Sequence, residues 1–577
     1  MLKVKNLALS LVMLFLCSCN GNNEVSLQVE STSQKEQISQ KATSEFVDDT
    51  RQSPLYDGSD VLVSKINHNE YGSNIEVEGK PFAFIGTQIR TDAFMNCDKL
   101  SYEQVELLFE QASKLKVNCV QIPLEWAKIE LEKDVFNFEF IYKMLSFANK
   151  YDLKCEFLWF GTNMCGESHS YTVPDYILKD GKTYPKFDAL RTGEYWNYYG
   201  ILWFLDFDNA NLIERESNAI KKCLEYVYEF DSTHGAKKPL IGMQVLNEPD
   251  IFIRWRVYQQ QVLSKTTGKQ FEPDEAYQKI CNSLNALGKA VKSSKYKIYT
   301  RVNLASSTNA DLTGNANGIY DGKELKDAPS FAKRFQALEG IDIIGDDAYT
   351  SNIKNVKGIV SMFATKIENN FGHLPENDAS YGNTPSLMLA SFYAHGGYSM
   401  YDLLTSPFFV ANNSANIDQG IILYDGDNFD KFTYKSHYDA TKKIIEGIKL
   451  VENEIYNLDK QNFACFNLKN DYPSKSINQD ISTTNVNISF ETTNGAIGFA
   501  LDFSNHIDVY VTENSSITLN DISISKIQTG IYNNDTFVAD NTLTNNKTIT
   551  LEAGRLYRID YEANNSFTST TWDQIGG

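Results

Sequence analysis

Glu248 closes a short apolar run, Pro239–Asp250 (PLIGMQVLNEPD), and Glu376 stands far later in the chain, in Phe371–Tyr381 (FGHLPENDASY). Two carboxylates brought to one place can divide acid and nucleophile work: one protonates a departing oxygen while the other stabilises or attacks the carbon left electron-poor. Acetal cleavage asks for that pair, and its retaining form holds the two carboxyl groups about 5–5.5 Å apart. Pro249 has no N–H to offer a ladder, so the run that carries Glu248 stops there as a strand. Leu374 and Pro375 give Glu376 a short strand end of its own. Asp402 (in YSMYDL) and Asp425 (in GIILYDG) are rivals for the second role, each one methylene shorter.

Such a pair needs elements that bring distant segments together. Apolar or β-branched runs recur at 81–88 (PFAFIGTQ), 117–124 (VNCVQIPL), 153–160 (LKCEFLWF), 239–246, 297–303 (KIYTRVN) and 341–347 (IDIIGDD). Between them, Tyr102 to Leu115 sets Val105, Leu108, Phe109 and Leu115 at helical spacing, and 141–151 and 213–230 repeat the pattern. Alternating buried strands and amphipathic helices imply a parallel sheet with helices outside. No GxGxxG follows the first strand, so a (β/α)8 TIM barrel, an α/β fold, is expected over a doubly wound sheet. Residues at the C-terminal ends of its strands then face one mouth. Arg90 ends the first strand, where it contacts a carboxylate, a sugar hydroxyl or only solvent. Asp347 either binds a hydroxyl or caps a turn. Trp126, Trp159, Asn163 and Glu167 fall on loops at that face, the tryptophans as stacking surfaces or as core. Past about Asn453, short alternating stretches at 486–490, 496–503, 507–511 and 557–561, broken by Asn and Gly, read as a C-terminal β-sandwich.

Lys3 and Lys5 precede an apolar stretch, Leu7 to Leu16, too short to span a bilayer. It ends in Leu16-Cys17-Ser18-Cys19, which resembles a bacterial lipobox with Cys19 as the lipidated residue. The expected plan is a signal over 1–19, a polar tether over 20–60, a barrel over 61–452 and a sandwich over 453–577, at the cell envelope and held to a membrane through lipid. The remaining cysteines show no structural-zinc spacing, and the histidines no ligand spacing. No metal or cofactor is therefore expected. A net charge of −20 argues against nucleic acid as a partner and leaves a neutral carbohydrate open. Neither HExxH nor GxSxG occurs, which removes the common peptidase signatures.

The segment from Gly79 carries more than its periodicity. GKPFAFIGTQIR, Trp126-x-x-Ile129-Glu130, Phe136-Asn137-Phe138, Leu158-Trp159-Phe160-Gly161, Tyr171-x-Val173-Pro174 and Asn247-Glu248 together resemble the family 35 and family 42 β-galactosidases of glycoside hydrolase clan A. The resemblance spans roughly residues 79 to 250 and implies a retaining β-glycosidase, exo-acting, with galactose as the first sugar and β-mannosides or β-glucosides as alternatives. It implies Glu248 as acid/base, a second Glu as nucleophile at the end of strand seven, and Asn247 on the sugar 2-hydroxyl. Tyr349 resembles the strand-six tyrosine that donates to the nucleophile and keeps it ionised. Where the clan ends strand eight with a Trp, His395–Leu403 (HGGYSMYDL) has Tyr398 and Tyr401, and Tyr398 is the expected replacement. A lipid-anchored protein that binds glycans without turnover is the contrasting class; it needs no paired glutamates.

Overall fold

The computed structural model describes residues 46–162, 172–188, 203–249, 273–304, 331–366, 370–393, 395–405, 419–425, 428–471 and 475–563. Eight parallel strands close a barrel: β1 (Ile85–Gln88), β2 (Cys119–Glu125), β3 (Lys154–Phe160), β4 (Leu240–Gln244), β5 (Tyr299–Leu304), β6 (Ile343–Asp347), β7 (His373–Asn377) and β8 (Gly397–Met400), with β8 returning to β1. Helices cover the outside, among them α1 (Tyr102–Leu115), α2 (Glu139–Tyr151), α3 (Ala210–Thr233) and α4 (Pro273–Lys292). The first of these starts on a capping box: Ser101 accepts from the Gln104 N–H, and the Gln104 side chain accepts from the Ser101 N–H. It ends on Lys116 in the left-handed region, and Val105, Leu108, Phe109, Ala112 and Leu115 line its buried face.

Strand seven departs from the apolar pattern, and its proline explains why. His373 pairs with Gly345 and Glu376 with Asp347, so three steps along β7 match two along β6. The register slips again against β8 between Leu374 and Asn377. Pro375 sits inside this bulge, where a missing N–H costs the ladder little. A Cβ on Gly345 would come within 2.7 Å of the Pro375 ring, so the neighbouring strand makes room for it by having no side chain. Because side chains alternate along a strand, His373 and Glu376 would face opposite ways without the extra residue. The bulge lets both face the barrel interior.

Below the mouth the interior is polar and paired. Arg301 is fully buried and forms two hydrogen bonds to Glu156, from Nε and Nη2, each 2.7 Å. Glu156 also accepts from Gln121 and from the Tyr299 hydroxyl, both at 2.8 Å. Burying this pair is tolerable because four donors meet one carboxylate. His373, beside them, has its imidazole pushed down to about 3 by burial first and then by the Arg301 charge.

The C-terminal region is a sandwich of a six-stranded and a four-stranded antiparallel sheet. Alternation gives the larger sheet two apolar faces. Phe463, Cys465, Phe499, Leu501 and Tyr510 join the barrel's hydrophobic cluster, while Ala464, Phe466, Ala500, Val509 and Val511 face the smaller sheet. Tyr510 donates to the Lys443 carbonyl (2.8 Å). At the other end, the expected tether is bound sooner than residue 60: Gln52 and Leu55 donate to the Thr233 and Ser232 carbonyls at the end of α3. Cys119, Cys155, Cys223, Cys281 and Cys465 are buried, unpaired thiols. Cys19 and Cys165 lie outside the described residues.

Candidate active site

Glu376 is 6% exposed at the end of β7 and is held at both oxygens. Gln88, at the end of β1, donates to Oε1 at 2.7 Å, and the Tyr349 hydroxyl donates to Oε2. Burial pushes the carboxyl up; the Tyr349 and Gln88 hydrogen bonds and the charges of Arg90 and Arg301 pull it back. Tyr349 has φ +38° and Glu248 φ +44°, both in the left-handed region that bulky residues avoid. Each is held there by a neighbour. Tyr381 donates its hydroxyl to the Tyr349 carbonyl (3.1 Å), and the Glu248 N–H donates to Asn303 Oδ1 (3.0 Å). Strain of this kind persists only where the surroundings fix the backbone, and it collects at functional sites.

Asn303, inward on β5, ties three strand ends together. Its Nδ2 donates to Asn247 Oδ1 (2.9 Å) and to Asp347 Oδ2 (2.6 Å), while its Oδ1 takes the Glu248 N–H. Asn247 also accepts from Gln244 at 2.9 Å. Asp347 is fully buried, and its carboxyl is raised well above the ordinary range by burial, then by the charges of Glu376 and Glu248. After burial, the charges of Glu376 and Glu248 also push up the hydroxyl of Tyr349, so the same two side chains, Asp347 and Tyr349, feel both. Glu248 itself is half-buried.

Arg90 is drawn in from the solvent position that sequence left open. It is 4% exposed, donates twice to Asp92 at 3.0 Å, and donates to the Tyr401 hydroxyl with its guanidinium 4.7 Å from that ring. Tyr401 also meets Tyr349 edge-on, ring centres 5.3 Å apart at 73°. At the end of strand eight the aromatic at the site is thus Tyr401. Tyr398 has the opposite parity to Ser399, whose hydroxyl reaches Gln121 inside the barrel, so Tyr398 faces the helices and is wholly enclosed. Trp159 is displaced for the same reason. Glu156 faces inward three residues before it, so Trp159 shares the outer face with Phe157, packs on Trp126 (6.4 Å) and donates to Glu216 of α3 (2.8 Å). Trp126 likewise donates to buried Glu130 at 2.8 Å. Both indoles are core, not platforms. Asp402 and Asp425 belong to a separate three-stranded sheet outside the barrel. Asn163 and Glu167 lie outside the described residues.

A family model described as a domain of unknown function (DUF4978) matches residues 279–473, about a third of the chain. No curated protein matches the sequence. Among solved structures, the chain is similar to the exo-beta-1,4-mannosidase Op5Man5 from Opitutaceae bacterium strain TAV5, at 12% identity over 68% of this chain and 63% of that one, TM-score 0.42. It is similar also to a family 39 glycoside hydrolase from the gut symbiont Bacteroides cellulosilyticus WH2, at 11% identity over 85% and 84%, TM-score 0.42. A third is the beta-galactosidase from the psychrophilic Marinomonas ef1, at 10% identity over 65% and 62%, TM-score 0.43. The chain thus spans under two thirds of the mannosidase and of the galactosidase.

Three residues of the ring escaped sequence reading: Gln88, Gln244 and Asn303. Each is the last inward residue before a strand ends, and the parity of a neighbouring inward residue was the available signal. Among the described residues there is no group of three or more His, Cys, Asp or Glu side chains placed to hold a metal ion.

Proposed function

We infer that the protein is a retaining β-glycosidase that removes terminal β-linked sugars, β-galactosidase-like, at the cell envelope. The observation that carries this reading is Glu376, enclosed at the end of β7 with two donors on its oxygens, sharing its surroundings with Glu248 from the end of β4. In the first step Glu376 attacks the anomeric carbon as Glu248 protonates the departing glycosidic oxygen; in the second, Glu248 takes a proton from water, which releases the sugar from Glu376. Tyr349 and Gln88 keep the nucleophile anionic and aimed. Among the described residues both contacts to the Asn247 amide fall on Oδ1, and its N–H is the group assigned to a 2-hydroxyl, a bond that strengthens in the transition state.

Chromogenic galactosides, mannosides and glucosides assayed with wild type, Glu248→Gln and Glu376→Gln test the assignment. Each variant should lose activity on the best substrate, by about 10²–10⁴-fold where proton transfer is removed. Proton NMR of the first sugar released should show the β anomer. Full activity in both variants would move the site elsewhere, and glycan binding without turnover would favour the lipid-anchored binding protein. Anchoring rests on Leu16-Cys17-Ser18-Cys19; Cys19→Ala should shift the protein from the detergent phase to the aqueous phase, and unchanged partition would refute it.

A further inference from the structure

Asp347 has two unlike oxygens. Oδ2 accepts from Asn303 at 2.6 Å, while Oδ1, fully enclosed, has no hydrogen-bond partner among the described residues. The orientation of Asn303 is settled by chemistry. A backbone N–H can only donate, so the atom that meets the Glu248 N–H is an oxygen, and the atom that meets Asp347 is the amide nitrogen. An oxygen that receives an N–H keeps the acceptor role. A proton on this carboxyl therefore rests on Oδ1.

The groups around it favour that proton. Glu376 lies across the ladder on β7, Glu248 beyond β4 and Asp346 on the same strand, all of one sign. Tyr349 has its hydroxyl engaged with Glu376. Arg301 of β5 is the opposing charge, and its guanidinium is paired with Glu156. Burial, Glu376 and Glu248 together hold the Asp347 carboxyl well above the carboxylate range. Among the described residues Glu376 has two donors and Asp347 has one, so of this neighbouring pair Asp347 keeps the proton.

We propose that Asp347 is a specificity-determining residue that acts as a neutral acid, donating from Oδ1 to one hydroxyl oxygen of the sugar held between Glu248 and Glu376. This rests on the glycosidase reading and narrows its substrate class to neutral sugars bearing a hydroxyl at that position. A uronate there would bring a further negative charge among three acids. An amino sugar would ask for Asp347 ionised.

Asp347→Asn distinguishes the two protonation states, because an amide puts a carbonyl where Oδ2 accepts and an N–H where Oδ1–H donates. Asp347→Ala should lose roughly 5- to 100-fold in kcat/KM, the worth of one buried hydrogen bond, and Asp347→Asn should lose severalfold less than the Ala variant. In a series of monodeoxy aryl glycosides, one position should matter to wild type and to the Asn variant and cease to matter to the Ala variant. The infrared spectrum of wild type at neutral pH, minus that of Asp347→Asn, should contain a protonated-carboxyl band. The proposal fails if the Asn variant is as impaired as the Ala variant, if a glucosaminide outruns every neutral glycoside, or if the band is absent. Failure of wild type on every glycoside rejects the glycosidase reading and the sugar contact with it, while the infrared band still decides the proton.

Discussion

Replacing Tyr349 with Phe removes one hydroxyl from the mouth of the barrel and leaves the ring in contact with Tyr401. That hydroxyl donates to Glu376 Oε2 and is the strongest influence holding the carboxyl down against burial. A hydrogen bond to a charged, enclosed group contributes about 1.5–3 kcal/mol. At 1.36 kcal/mol for each pH unit, the ionised nucleophile should become harder to form by roughly one to two units. The sign follows from which form is stabilised: the hydroxyl favours the carboxylate, so its loss raises the pKa and moves the acid limb of kcat/KM to higher pH. Below the shifted limb the variant should fall roughly 10- to 100-fold behind wild type, and on its plateau most of the rate should return. A kcat/KM profile from pH 4 to pH 9 on the best aryl glycoside reads this directly. Gln88→Leu should move the same limb the same way by less, since a neutral amide is the weaker donor. If the Tyr349→Phe protein folds and turns over with its acid limb unmoved, Glu376 is not the group whose ionisation the rate reports.

Trp159→Phe should lower stability by about 1–3 kcal/mol, because Glu216 is fully buried and would lose one of its donors; chemical denaturation measures this. KM should stay unchanged, and a raised KM at wild-type stability would return the indole to the sugar. Glu452 accepts the Ala83 N–H (2.5 Å), and burial raises its carboxyl to about 7. Its contribution to stability is full below the unfolded value near 4.5 and declines as pH rises through 7. Glu452→Gln should therefore gain on wild type between pH 4.5 and 8 by up to about 3 kcal/mol, less what its partial exposure screens. A difference that does not change with pH would refute it.

Much of the barrel was legible because its physics is local. Apolar runs reveal strands buried on both faces, and Ser101 with Gln104 marks where α1 must begin. Six strands were readable this way. The seventh was harder because HLPEN holds only one large apolar residue, and the bulge that admits Pro375 depends on Gly345 in another strand. Inward or outward facing is the information a single run conceals, since a shift of one residue exchanges the faces. That is why Trp159 and Tyr398 were expected at the mouth and are found among the helices. It is also why Asn303, a polar residue closing an apolar strand, gave no sign that three strand ends meet on it.

Asn303 has a further consequence. Turned end for end, its amide would set N–H against N–H at Glu248, and oxygen against oxygen at both Asn247 and Asp347. Three attractions would become repulsions in one rotation, so the side chain behaves as a latch with a single closed position. Neither Asp nor Leu can serve in its place, one lacking donors and the other lacking both kinds of group. A change here should therefore disturb the acid at Glu248 and the sugar contacts at Asn247 and Asp347 together, and leave the donors on Glu376 in place.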